Sequence, residues 1–314
     1  MKRVVIKIFK VLSWTIVALL LLLFGMIQVV YTDWFQDKLR TEFVSRVNAS
    51  GELKFTLDEL SIDFPLNVSL AGLSVVEPQN DTLIAAKKVM ADVGVLPLLR
   101  GVVAVDDAIL SDAHYRMGNA DSVMFMKIVA SSLSITEAEV SLISNTIDLH
   151  QSEIQGGRID LLLKNDTTSP PADSSQSTPW TINAKDVLLN DFTYHMAIES
   201  SIDSLSTHFI DAMISNVAVN LGAQTLTVEL LKGEGLDAAF IAWDAPASPQ
   251  KEDEQPSKPW TIMIDSIDFI QSKALYAMPN VYPLPGMDFN YLSFDSLELK
   301  VASFYNKASE ISIP

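Results

Sequence analysis

Cysteine is absent from the 314 residues, which excludes a disulfide framework and thiol chemistry. Histidine is almost absent. His114, His150, His195 and His208 stand far apart, with no metal-ligand spacing. No Gly-x-Ser-x-Gly elbow, phosphate loop or dinucleotide fingerprint occurs. The carboxylates fall mostly in turns and on wet strand faces. No catalytic residue, cofactor or metal ligand is expected, and the chain reads as a protein without enzymatic activity. Basic charge is scarce as well, with 22 Lys and Arg against 39 Asp and Glu and a net charge of −17. Such an acidic surface argues against a nucleic-acid partner, which needs a basic footprint.

The few cations are unevenly placed. Lys2, Arg3, Lys7 and Lys10 precede the first acid, Asp33, and Val11 to Thr32 contains no charge at all. About 20 apolar residues suffice to cross a bilayer as a helix. Residues 1–10 are therefore expected in the cytoplasm, residues 11–31 in the membrane as a single pass, and the rest beyond it, by the positive-inside rule. A cleaved signal peptide fits less well. Its core is usually about 7–15 residues, and this run leaves through Met26-Ile27-Gln28-Val29-Val30-Tyr31 without a small-x-small site. Trp14, Tyr31, Trp34 and Phe35 suit anchoring at the two interfaces.

Residues 33–48 read as a short amphipathic helix, with Trp34, Phe35, Leu39, Phe43, Val44 and Val47 near helical spacing. From residue 52 onward the period changes to two. Leu66, Val68 and Leu70 alternate with other residues, as do Val89, Ala91, Val93 and Val95, and later Ile159, Leu161 and Leu163. Each run predicts a short strand with one apolar face. The body, 52–314, is thus expected to be all-β, interrupted by two polar, Pro-rich loops at 165–178 and 244–258 that cannot bury enough surface to order themselves.

The body also repeats. Ser-Thr-Pro-Trp-Thr-Ile at Ser177–Ile182 returns as Ser-Lys-Pro-Trp-Thr-Ile at Ser257–Ile262. Shifted by 79 residues, Asp107, Leu110, Asp112 and Tyr115 align with Asp186, Leu189, Asp191 and Tyr194; a third copy ends at Tyr276, with two extra residues before it. Trp180 and Trp260 are expected to plug the start of each unit, with Tyr115, Tyr194 and Tyr276 marking matching positions. A period near 80 leaves room for about five strands of about 10 residues. This predicts some 20 strands and roughly 100 Å of sheet. A growing sheet with one apolar face suits an elongated, curled β-groove open to an apolar ligand, phospholipid acyl chains being the obvious occupant. Val93, Val95, Leu161, Leu189, Leu226 and Leu230 are the predicted groove residues.

Asp63-Phe64-Pro65-Leu66, Leu73-Ser74-Val75, Asn80 to Lys88 and Leu96-Pro97-Leu98-Leu99-Arg100-Gly101, in that order, resemble the N-terminal region of AsmA-like proteins of the TamB type. The resemblance implies an inner-membrane anchor, a periplasmic β-groove, and a role in phospholipid transport to the outer membrane or in assembling outer-membrane proteins with an outer-membrane partner. Members are commonly far longer and end in a dedicated C-terminal domain. The present chain reaches Pro314 in what reads as mid-sheet, so it is expected either to belong to a longer protein or not to bridge the envelope alone.

Overall fold

The computed structural model describes residues 28–49, 53–77, 81–98, 100–118, 124–163, 179–198, 204–242, 261–278, 286–307 and 310–312. Residues 1–10, most of the expected span at 11–31, the loops 165–178 and 244–258, and Trp260 lie outside them. Among the described residues no helix is long and apolar enough to cross a membrane.

Helix α1 runs Asp33–Asn48, with Thr32 as its N-cap accepting from the Phe35 N–H, Asp33 in its first turn and Arg46 in its last. Its apolar side chains do not form a buried stripe. Trp34, Leu39 and Phe43 are exposed, and the buried residue is Gln36. The reason lies in what α1 packs against, the ends of two short strands, β1 (Lys54–Thr56) and β2 (Glu59–Asp63). Those strands offer open backbone groups, and the helix answers with polar side chains. The Gln36 amide donates to the Ile62 carbonyl at 2.7 Å, Arg40 donates to the Leu57 carbonyl at 2.9 Å, and Asn48 exchanges two bonds with Phe55. A sheet edge left bare would invite pairing with other chains; here a helix covers it.

The sheet continues through β3 (Asn67–Val76), β4 (Thr82–Val93), the single helical turn α2 (Val95–Leu98), β5 (Val102–Met117), β6 (Met124–Ser141), β7 (Thr146–Leu163), β8 (Thr181–Ile198), β9 (Ser204–Asn220), β10 (Thr225–Ile241), β11 (Thr261–Ala277), β12 (Tyr291–Lys307) and β13 (Glu310–Ser312). All belong to one open, mixed sheet in which spatial order follows chain order, with β1 and β2 end to end along β3. Every pairing is antiparallel except β7–β8 and β10–β11, which are parallel. A parallel step requires the chain to travel back along the whole strand, and the two Pro-rich segments fall at these two steps.

The repeat is therefore a meander of three strands, restarted in parallel at Thr181 and Thr261. Its strands are 16 to 18 residues long, not about 10, and there are three per unit, not five. Among the described residues, twelve strand positions at about 4.8 Å give roughly 53 Å of sheet, half the expected length.

The strands are long because they bend without breaking. Along β7 and β8 the register passes from Leu149↔Ala184 to Gln151↔Asp186, and from Gln155↔Asn190 to Gly157↔Phe192, leaving His150/Lys185 and Gly156/Asp191 out of the ladder. The same two interruptions recur on the neighbouring strands, so they form two lines across the sheet. One line carries left-handed residues at Gly72, Asp112, Gly156, Asp191, Gly235 and Gln271, on strands running one way, and at Ser296 on β12, where the register with β11 is irregular; the other carries them at Glu137, Asn216 and Ser303, on strands running the opposite way. From β5 to β12 each strand thus places a left-handed residue at the second bend it meets. Gly, Asp and Asn tolerate that conformation best. Each bend also shifts the alternation by one. On β8, Ile182 and Ala184 share a face with Val187 and Leu189, and then with Phe192, Tyr194 and Met196. Since every strand bends at the same lines, pairing survives while parity changes.

Candidate functional site: a single apolar face

Following the register from strand to strand traces one row: Leu60, Leu70, Val89, Leu110, Leu133, Ile154, Leu189, Ala212, Gly233, Phe269 and Leu299. Eleven consecutive strands contribute no polar side chain to it. A parallel row beyond the first bend line runs Ile84, Tyr115, Ile128, Ile159, Tyr194, Thr207, Ala238, Ala274 and Phe294. A sheet apolar on one face normally buries it beneath a second layer. Among the described residues no such layer exists, since the two helices pack only at sheet margins.

The face is partly closed by its own side chains. Leu189, Phe192, Ala212 and Phe269 form a buried cluster, with Ile154, Val187, Phe209 and Leu236 packed around it. Leu189 and Phe192 lie on either side of a bend and still belong to one buried cluster. The rings of Phe209 and Phe269, two strands apart, have centroids 5.8 Å from each other. They reach because Gly233 stands between them; a Cβ there would sit 2.9 Å from Phe269 Cε1. The other parallel step repeats the device, with Phe192 lying over Gly157. Away from this cluster the face is more open, and Ile84, Tyr115, Phe240 and Phe294 are exposed.

The opposite face is polar and internally paired. Lys185 Nζ lies 3.2 Å from His150 Nε2, Asn183 donates to Asp148 at 2.7 Å, Asn190 to Glu153 at 2.7 Å, and Ser215 to Asp186 at 3.1 Å. An open hollow of about 710 Å³ on this side is lined by Asp106, Glu137, Glu139, Asp148, His150 and Lys185, among others. Lys185, His150 and Glu137 stand in a chain there and Asn183 donates to Asp148, as in a solvated sheet surface. His114, also on this face, is held below the usual imidazole range by burial first and then by Lys127 and Arg116. Among the described residues no cluster of His, Asp and Glu could hold a metal ion.

Leu161, Leu189 and Leu226 lie on the apolar face, paired with Met196, Ile154 and Ile262, and Val93 joins them opposite Val105. Leu230 does not. It pairs with Ser215 and Ser266 on the polar side, because the bend at Glu229 flips the alternation, and Leu231 takes the apolar position instead. Val95 is half-exposed in α2 and belongs to no strand. Tyr115 and Tyr194 share one row, while Tyr276 stands one row further out, stacked 6.0 Å from Phe240. Trp180 is half-buried at the head of β8, where its carbonyl accepts from the Leu221 N–H. Phe192, Phe209 and Phe269, the most consequential side chains of the face, were not singled out by periodicity. The Gly157–Phe192 and Gly233–Phe269 spacings of 35 and 36 residues become meaningful only with the parallel register. No family model, curated protein or solved structure matches the chain.

Proposed function

We propose that this is an inner-membrane-anchored protein of the AsmA-like, TamB type, whose curled sheet forms a periplasmic β-groove that carries phospholipid acyl chains towards the outer membrane. The observation that carries the reading is the eleven-strand apolar row without a second layer over it. An apolar face of that extent needs a cover, and an acyl chain is linear, flexible and wholly apolar, which matches a row rather than a pocket. The chemistry asked of the protein is burial, not bond-making. The two Phe–Gly packings narrow the face at each parallel step, and the half-exposed rows between them and the margins leave room for chains to lie.

A second reading has one observation in its favour. β13 covers only Tyr305 to Lys307 of β12, so among the described residues the remainder of that edge is unpaired. An open edge can accept a client strand, as a scaffold for outer-membrane protein assembly would.

Photoreactive side chains placed at Leu161, Leu226 and Leu230, and at exposed Glu298 on β12, in the full chain, in cells, test both. The acyl-groove reading expects crosslinks to phospholipid from 161 and 226 and none from 230. Crosslinks from β12 to protein, with no lipid adduct at 161 or 226, would replace it with the scaffold.

A further inference from the structure

At one end of the strands the turns differ from the rest of the chain. They are residues 64–66 between β2 and β3, 94–101 between β4 and β5, 142–145 between β6 and β7, and 221–224 between β9 and β10. They read Phe-Pro-Leu, Gly-Val-Leu-Pro-Leu-Leu-Arg-Gly, Leu-Ile-Ser-Asn and Leu-Gly-Ala-Gln. In a chain of net charge −17 they contain no acid, and Arg100 is their one charge. Four of their apolar side chains are largely exposed, Phe64 at 77%, Leu96 at 75%, Leu142 at 62% and Ile143 at 80%. Scattered exposed apolar residues are ordinary; a line of them along successive acid-free turns is not.

The opposite end is built otherwise. Glu77 and Asp81 stand there, both ion-paired with Arg116 at 2.9 Å. Two of its most exposed apolar residues, Met287 and Phe289, flank an acid, Asp288.

The end with the acid-free turns is also where the N-terminal apolar run finishes. Tyr31 donates its hydroxyl proton to the Pro65 carbonyl at 2.8 Å, and its ring meets that of Phe64 edge-on at 6.1 Å. The last residue of a bilayer-length run is therefore fastened to the first of these tips.

We infer that this end of the sheet rests on the bilayer that the 11–31 run enters, with Phe64, Leu96, Leu142 and Ile143 in the interfacial layer. Apolar tips gain from entering the headgroup–acyl boundary, and turns without acids meet anionic headgroups with little repulsion, the acids of this end, Asp63 and Glu310, standing on the adjoining strands. Arg100 lies among the tips, where its stem can bury while its guanidinium reaches a phosphate. The strands then stand on the membrane and the apolar face opens beside it. This rests on the run being a span and not on lipid carriage, which the crosslinks at 161 and 226 read separately.

The absence of native cysteine makes the test clean. Ile143→Cys and Met287→Cys sit at opposite ends with equal exposure, 80%. Each is labelled with an environment-sensitive nitrobenzoxadiazole dye in the full chain, reconstituted into vesicles of phosphatidylethanolamine and phosphatidylglycerol. The expected result is blue-shifted emission at 143, quenched several-fold more by acyl-nitroxide lipids than at 287, and the same behaviour from Leu96→Cys. Three results would overturn the inference. They are a water-like or equally quenched probe at 143, a blue shift that lipid nitroxide does not quench (a second copy or another protein covers the end), and a chain that does not associate with the vesicles.

Discussion

The ring of Phe192 covers Gly157 across the parallel step between β7 and β8, so closely that a Cβ on Gly157 would lie 2.5 Å from Phe192 Cδ2. Without a second layer, stability must come from such packing within the face. Phe192→Ala is expected to cost about 3–5 kcal/mol, the usual range for emptying a buried aromatic site, and Gly157→Ala about 1–3 kcal/mol by overpacking. The two should be non-additive, because removing the ring removes the closest clash and leaves Ile154 Cγ2 at 2.8 Å as the remaining one. Gly233 offers the contrast. There the nearest atom is the Asp211 backbone oxygen at 2.3 Å, so Phe269→Ala should not rescue Gly233→Ala. Urea midpoints of the two double-mutant cycles decide this.

The bend lines make a prediction of opposite signs at one position. Gln271 is exposed and left-handed at φ 52°. Gln271→Gly relieves the conformational strain and should stabilise by up to about 1 kcal/mol, while Gln271→Val should destabilise by about 1–2 kcal/mol. A thermal melt that ranks Val above Gly would remove the bend as the reason for the polar residue.

Face assignment is checked by one pair of substitutions. Leu226 and Leu230 are four residues apart on the same strand, yet face opposite sides because of the bend at Glu229. Leu226→Glu should lower phospholipid recovery with the full chain towards the level held around the N-terminal run, and Leu230→Glu should leave it unchanged. Equal effects would mean that the apolar row is not where lipid lies.

Acid should weaken the fold through His114. Its folded pKa lies below the ordinary value of 6.5, chiefly through burial, so the unfolded chain binds more protons in the window below 6.5. The associated stability is fully present above the unfolded value and is lost as pH falls through the folded one. His114→Gln should flatten that part of the pH dependence of the urea midpoint; an unchanged profile would assign the loss elsewhere.

Several sequence matches turn out to be spatial. Asp107 and Asp186 share a row, as do Leu110 and Leu189, and Tyr115 and Tyr194, while Asp112 and Asp191 are both left-handed residues on one bend line. The repeat was legible because equivalent bends demand equivalent residues. Strand length was not, because a parity shift at each bend splits one strand into two or three alternating runs that read as separate strands. Leu230 failed for the same reason. The Phe–Gly packings were hidden because they join residues 35 and 36 positions apart across a parallel step whose connecting loop hides the register.

The central claim is that the apolar face holds acyl chains. Its most direct test is quantitative lipid mass spectrometry on the full chain and on its Leu161→Glu/Leu226→Glu variant, purified identically, with folding checked by circular dichroism. Both keep the same N-terminal run, so lipid held around it cancels. A stoichiometric excess of phospholipid on the native chain is the predicted result. Equal lipid on two folded proteins would contradict the account.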